Sequence, residues 1–235
     1  MGGAGAGSRA APVRLLAAAC WLAASPALAE RTCPDTGVAV VGADRAEADQ
    51  VCRAARAAGD VFAGLGLAWP SGVKVHLLAR MPEGVADADE LGRYDGRLRA
   101  VQVLDYGVAR ALARRHVPGL GVVMDRALWR SYIVHELAHA AIHAGCDTRC
   151  PDRAGHEYVA AVAQIGALPE PVRRRVLRGH GQVAAFGRAE EISEVYYALS
   201  PCRFAVKAYL HYRRPENGPA FVRRLLDQAG QPMLP

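Results

Sequence analysis

The sequence predicts an α+β protein, and three observations carry that prediction. Val73 to Leu78 alternates partly between apolar and polar residues and reads as a strand, and 91–104 reads as a β-hairpin with Asp95-Gly96 as its turn. After Pro118 the pattern changes to helix almost to the end of the chain. The composition is that of an ordinary globular protein: 51% apolar and 22% charged over 235 residues, enough for one domain or at most two small ones.

Asp44 followed by Glu47 resembles a capping box and opens a helix expected to run to about Gly64, with Val51, Ala55, Ala58 and Phe62 on one side. In the second arm of the hairpin, Leu98, Ala100 and Gln102 alternate with Arg99, Val101 and Val103. Two partly apolar faces suit either a buried strand or an edge facing a cleft. Helices are expected at 126–143, 155–167, 170–177, 188–199, 203–212 and 219–228. The organisation is therefore a small α+β lobe, 30–118, followed by a helical lobe, 119–235, with a cleft between them as the natural place for a site.

Residues 1–29 read as a secretory signal peptide outside this domain. Arg9 and Arg14 supply the positive start, Leu15 to Ala24 the apolar run, and Ala27-Leu28-Ala29 the cleavage site. The run is too short for a stable membrane span, and Ala17 is not the larger aliphatic residue expected ahead of a lipid-carrying Cys20. The expected location is periplasmic or secreted. There, disulfides are the default use of Cys33, Cys52, Cys146, Cys150 and Cys202. Cys33 with Cys52 would tie the N-terminus to the first helix, and Cys146 with Cys150 would close a short loop. Cys202 is then left over, unless it pairs with one of that second couple. The net charge is +6, with only Lys74 and Lys207 as lysines and the arginines scattered. With 6% aromatics, this pattern speaks against a nucleic-acid partner.

The segment that carries chemistry is Trp129-Arg130-Ser131-Tyr132-Ile133-Val134-His135-Glu136-Leu137-Ala138-His139-Ala140, an HExxH pattern inside an apolar helix. Residues four apart stack on one helical face, so His135 and His139 can share one metal ion, with Zn2+ expected. Glu136 lies about 100° round the helix. From there it can take a proton from a water on the ion, whose pKa zinc lowers to about 7. A catalytic zinc wants a third protein ligand. His143 is two turns from His135, about 12 Å along the axis, too far to join it. Glu157 falls in the first turn of the next expected helix and can return to the His pair across the intervening loop. His156, Asp147 and Asp152 are rivals for that place.

HExxH followed by Glu157 on a second helix resembles the gluzincin class of zinc metallopeptidases. A "HELAHA"-type helix paired with an "EYVAA"-type helix is also similar to uncharacterised exported bacterial proteins. The metzincin pattern is absent, because Ile142 and Gly145 stand where it needs Gly and His. The gluzincin resemblance covers about 126–168. It implies a zincin-like fold, the active-site helix lying between the two lobes, and peptide-bond hydrolysis with Glu136 as general base. It also implies a peptide or protein substrate. One departure stands out: thermolysin-type peptidases carry an Asp four residues after the ligand Glu to support a His, and here that position is Ala161. Glu194 is a candidate replacement. For oxyanion stabilisation the candidates are His180, Tyr196, Tyr197 and His211, with Tyr196 or Tyr197 preferred. By analogy, 98–104 would be the edge strand that aligns a peptide. Two other readings stay open: a non-catalytic, metal-stabilised binding protein, and a zinc hydrolase of a cell-wall amide.

Overall fold

The computed structural model describes residues 1–2, 30–82, 90–114, 120–146 and 150–227. Residues 3–29 of the expected signal peptide, Asp147 and Pro118 lie outside the described residues. The chain is α+β. A five-stranded mixed sheet is built from β1 (Arg31–Thr32), β2 (Ala39–Val41), β3 (Lys74–Leu78), β4 (Gly92–Asp95) and β5 (Ala100–Leu104). Its order is β1-β2-β3-β5-β4, with β2, β3 and β5 parallel and β1 and β4 antiparallel at the two edges. Helix α1 (Arg45–Leu65) makes the crossover from β2 to β3, and α2 (Tyr106–Ala113) follows β5. Then come α3 (Arg126–Gly145), α4 (Arg153–Gly166), α5 (Glu170–Gly179), α6 (Glu194–Leu199), α7 (Pro201–Tyr212) and α8 (Gly218–Asp227). No described helix is long and apolar enough to cross a membrane.

Aspartates start the helices that matter. Asp44, Asp105, Asp125 and Asp152 each accept a hydrogen bond from the backbone N–H three residues on, at 2.7–2.8 Å, and so satisfy a donor that the first turn leaves open. At α1 the capping box is only half formed. Asp44 caps as expected, but the Glu47 carboxylate accepts from the Tyr106 backbone N–H instead of folding back. Asp125 has a second role, since Arg175 of α5 pairs with it at 2.7 Å and ties α5 to the start of α3.

Helix α3 is the centre of the molecule. It packs on β4 and β5 on one side, on α1 on another and on α4 on a third, and α4 in turn packs on α7. This explains why α3 carries apolar residues nearly all round: Leu128, Trp129, Ile133, Val134, Leu137 and Ile142 are all buried. Trp129 Nε1 donates to the Leu104 carbonyl at 2.9 Å, which fixes the end of β5 against the first turn of α3. Both helices also carry buried alanines, Ala138 and Ala141 on α3 and Ala160, Ala161 and Ala163 on α4.

The structure corrects several expectations. Strand β5 is interior, between β3 and β4, so 98–104 is not the sheet edge. The hairpin folds β4 outside it, and burial on both faces accounts for the mixed alternation. The helix expected at 188–199 is interrupted: a short 3₁₀ turn, Ala189–Glu191, precedes α6, and Ser193 caps α6 by accepting from the Tyr196 N–H. β1, β2 and α2 carry too few residues to show a period in the sequence. Cys33–Cys52 is the one disulfide among the described residues, and Cys146, Cys150 and Cys202 are thiols, so the expected Cys146–Cys150 bridge does not form.

The disulfide closes a segment of 19 residues. Chain-entropy arguments give a cross-link of that span about 3 kcal/mol. The Cys33→Ser/Cys52→Ser protein is expected to unfold at correspondingly lower urea, with an unchanged fold by circular dichroism. Identical midpoints for the two proteins would contradict this.

Candidate metal centre

One helical turn separates His135 from His139 on α3, and their Nε2 atoms face each other at 3.2 Å. Glu157 reaches them from the second turn of α4. Its Oε2 is 3.3 Å from His135 Nε2 and its Oε1 is 3.8 Å from His139 Nε2. The side-by-side packing of α3 and α4 brings the carboxylate this close. A four-coordinate ion with bonds of about 2.0–2.1 Å holds its ligand atoms roughly 3.3–3.4 Å from one another. The three separations bracket that value, so this His/His/Glu group could hold a metal ion. Glu157 Oε2 is also buried, with His135 Nε2 as its nearest charged neighbour at 3.3 Å.

The electrostatics suit ligation. Burial favours the neutral form of Glu157, but the hydrogen bond with His135, the charges of His135 and His139, and the Tyr197 hydroxyl outweigh it and hold the carboxyl at about 2. Burial and the neighbouring His135 push His139 down to about 3, so it is a neutral imidazole at pH 7. Burial also opposes charge on His135, yet Glu157 and Glu136 together raise it to about 8. A proton held there marks a place of strongly negative potential, where a divalent cation competes well.

His135 is oriented by a residue the sequence did not point to. Gln164 Oε1 lies 3.1 Å from His135 Nδ1. Gln164 is seven residues, two turns, beyond Glu157 on α4, so both face α3, and it takes the supporting place that Ala161 cannot fill. The spacing to Glu157 was the signal available. Glu194, the candidate for that place, is exposed at the start of α6.

Glu136 is buried against β4. Burial raises its carboxyl to about 7, with Glu157 and Glu90 reinforcing the shift, and with the His135 charge and the Tyr94 backbone N–H opposing it. Gly92 of β4 makes this approach possible. A Cβ there would stand 3.3 Å from Glu136 Cγ, 3.2 Å from the Gln102 carbonyl and 3.1 Å from Val103 Cγ2. No local pattern in the sequence pointed to that role for Gly92.

The cluster opens on a cavity of about 790 Å³. Edge strand β4 forms one wall through Gly92, Arg93 and Tyr94, and Tyr197 of α6 stands on another. Of the four oxyanion candidates, Tyr197 alone lines the cavity, and it hydrogen-bonds Glu157. Burial raises its phenol far above neutrality, so it is a donor. Tyr196 packs on Phe186 and Phe204, His211 on Tyr158, and His180 faces the Leu120 carbonyl. The rival ligands fall elsewhere: Asp152 caps α4, and His156 stacks on His139 at a ring distance of 5.8 Å without joining the ligand group. His143 is exposed and meets the Tyr94 hydroxyl at 3.3 Å.

A family model described as "Family of unknown function (DUF6639)" matches residues 38–232. The chain belongs to DUF6639. The matched region runs from the segment leading into β2 to beyond α8, so β2 to β5, α3, α4 and all the residues of the cluster lie within this DUF6639 region, and β1 precedes it. No curated protein and no solved structure matches the chain.

Gln164→Ala removes the group that orients His135. Loss of such a support costs roughly 10- to 100-fold in metal affinity. Competition of the variant against a chromophoric chelator is expected to show that loss, with the fold intact. Undiminished affinity would remove Gln164 from the site.

Proposed function

We propose that the protein is a zinc-dependent hydrolase of peptide bonds. The observation that carries this reading is the pairing of a ligand-spaced His135/His139/Glu157 group with a separate buried carboxyl, Glu136, on the same cavity. A site that only stabilised the fold would not need the second carboxyl or 790 Å³ of adjoining space.

In this reading His135, His139 and Glu157 hold the ion. When bound, zinc supplies a Lewis acid that polarises a scissile carbonyl and acidifies water. Glu136, with a carboxyl near neutrality, accepts the proton of the attacking water and returns it to the leaving amine. Tyr197 keeps its proton and is a donor toward negative charge developing on the substrate oxygen. Strand β4 offers an outer edge along which an extended peptide can pair by its backbone. The Cys33–Cys52 disulfide and the leader-like residues 1–29 support a role outside the cytoplasm.

Glu136→Gln tests the assignment. The variant is expected to keep one zinc per chain by elemental analysis while peptide hydrolysis falls about 10²- to 10⁴-fold. Retained turnover would remove Glu136 as the base. Wild-type protein that binds zinc but cleaves nothing in a broad peptide library would favour a non-catalytic binding role.

A further inference from the structure

On α3, His143 stands one turn past His139, and on α4, Arg153 stands one turn before Glu157. Residues four apart stack on one helical face, so each of these two cluster residues has a basic neighbour about 6 Å further along its helix. The two helices run in opposite directions, because Gln164 meets His135 while His156, earlier on α4, stacks on His139 at a ring distance of 5.8 Å. His143 and Arg153 therefore lie at the same end of the cluster, and both line the cavity together with His156. They are close enough to act on one another electrostatically: Arg153 and His156 on His139, and His143 on His156. Strand β4 runs the same way. A Cβ at Gly92 would touch Glu136, and one at Gly96 would stand 3.3 Å from His143 Nε2. Glu90, which acts on Glu136, precedes this strand, so the acids gather at one end of β4 and the basic groups at the other.

Arg153 is exposed, with its guanidinium 5.4 Å from the centre of the Tyr197 ring, whose hydroxyl bonds Glu157. Among the described residues no carboxylate forms an ion pair with it. Its charge is thus presented to the cavity rather than taken up by a salt bridge. On the β4 side, His143 Nδ1 is 3.3 Å from the Tyr94 hydroxyl, and both residues line the cavity. A neutral imidazole carries one N–H and a phenol one O–H, and the bond between them uses only one of the two. The pair keeps a second donor.

We infer that Arg153, with His143 and Tyr94, forms a subsite for a carboxylate of the substrate, one helical turn beyond the metal group. A guanidinium meets a carboxylate with two parallel N–H bonds, and the donor left on the Tyr94–His143 pair adds a third. A divalent ion on the ligand group outweighs the Glu157 charge and Arg153 adds to it, so the field at this end favours an anion. An ammonium is repelled there, and a neutral amide leaves the Arg153 charge unpaired. An extended chain advances about 3.3–3.6 Å per residue, which puts the carboxylate within two residues of the bond that is cut. It is either the C-terminus of the peptide or an acidic side chain. Its place relative to a cleaved bond rests on the hydrolase reading above, whereas the subsite itself is tested by binding.

The experiment titrates two pairs of compounds into the full, zinc-loaded protein and follows NMR shift changes. N-acetyl-alanine against its methylamide probes an α-carboxylate, and the methylamides of N-acetyl-aspartate and N-acetyl-asparagine probe a side chain. In at least one pair the acid is expected to bind at least about tenfold more tightly, the worth of a hydrogen bond to a charged group. That pair identifies the source of the carboxylate. In Arg153→Gln the preference should fall close to unity with circular dichroism and zinc content unchanged, and Arg153→Lys, which keeps the charge, should retain part of it. No acid preference in either pair, or saturable binding of none of the compounds, would overturn the inference. So would a preference that survives in Arg153→Gln, since the carboxylate would then sit on the ion itself. Arg153-dependent acid binding in a protein that hydrolyses no peptide would sink the hydrolase reading and leave the subsite standing, and peptide hydrolysis without acid preference would do the reverse.

Discussion

A buried carboxylate held between two imidazoles is the constraint on which the rest of the structure depends. Glu157 is only 8% exposed, and a charge so placed is costly unless cations or donors surround it. His135, His139 and Tyr197 do so, from two different helices. That arrangement requires α3 and α4 to lie close, as they do. It also requires both helices to begin at fixed points, which the Asp125 and Asp152 caps provide. The sheet and α1 serve this pair by covering the remaining faces of α3.

The three residues of the cluster were legible in the sequence because they obey helical geometry. His135 and His139 are tied by a four-residue spacing, and Glu157 by its place in the first turns of the following helix. The capping aspartates and the hairpin turn at Asp95-Gly96 were equally local signals. What could not be read depended on long-range packing. Gln164 shares a face with Glu157, but only contact with α3 gives that face a meaning. Gly92 matters because β4 passes over Glu136, a fact set by pairing between strands. β5 was ambiguous for the same reason: two apolar faces fit an interior strand or an edge, and the position of β4 decides between them. Tyr196 and Tyr197 are adjacent in sequence and point to different surroundings, one into the Phe186–Phe204 cluster and one to Glu157.

The cavity divides along α3 into parts of contrasting chemistry. Around His143, Arg153, His156 and Tyr94 it is polar, and Arg153 lies over the Tyr197 ring at 5.4 Å. Leu120, Ala161, Phe204 and Ala205 contribute apolar wall. Gln164 holds the His135 ring from α4.

The most direct measurement is anomalous diffraction at the zinc absorption edge from crystals grown with zinc. The account predicts a single strong peak within about 2.0–2.2 Å of His135 Nε2, His139 Nε2 and a Glu157 oxygen. A map with no peak between these three side chains, or with its peak at other residues, would contradict it.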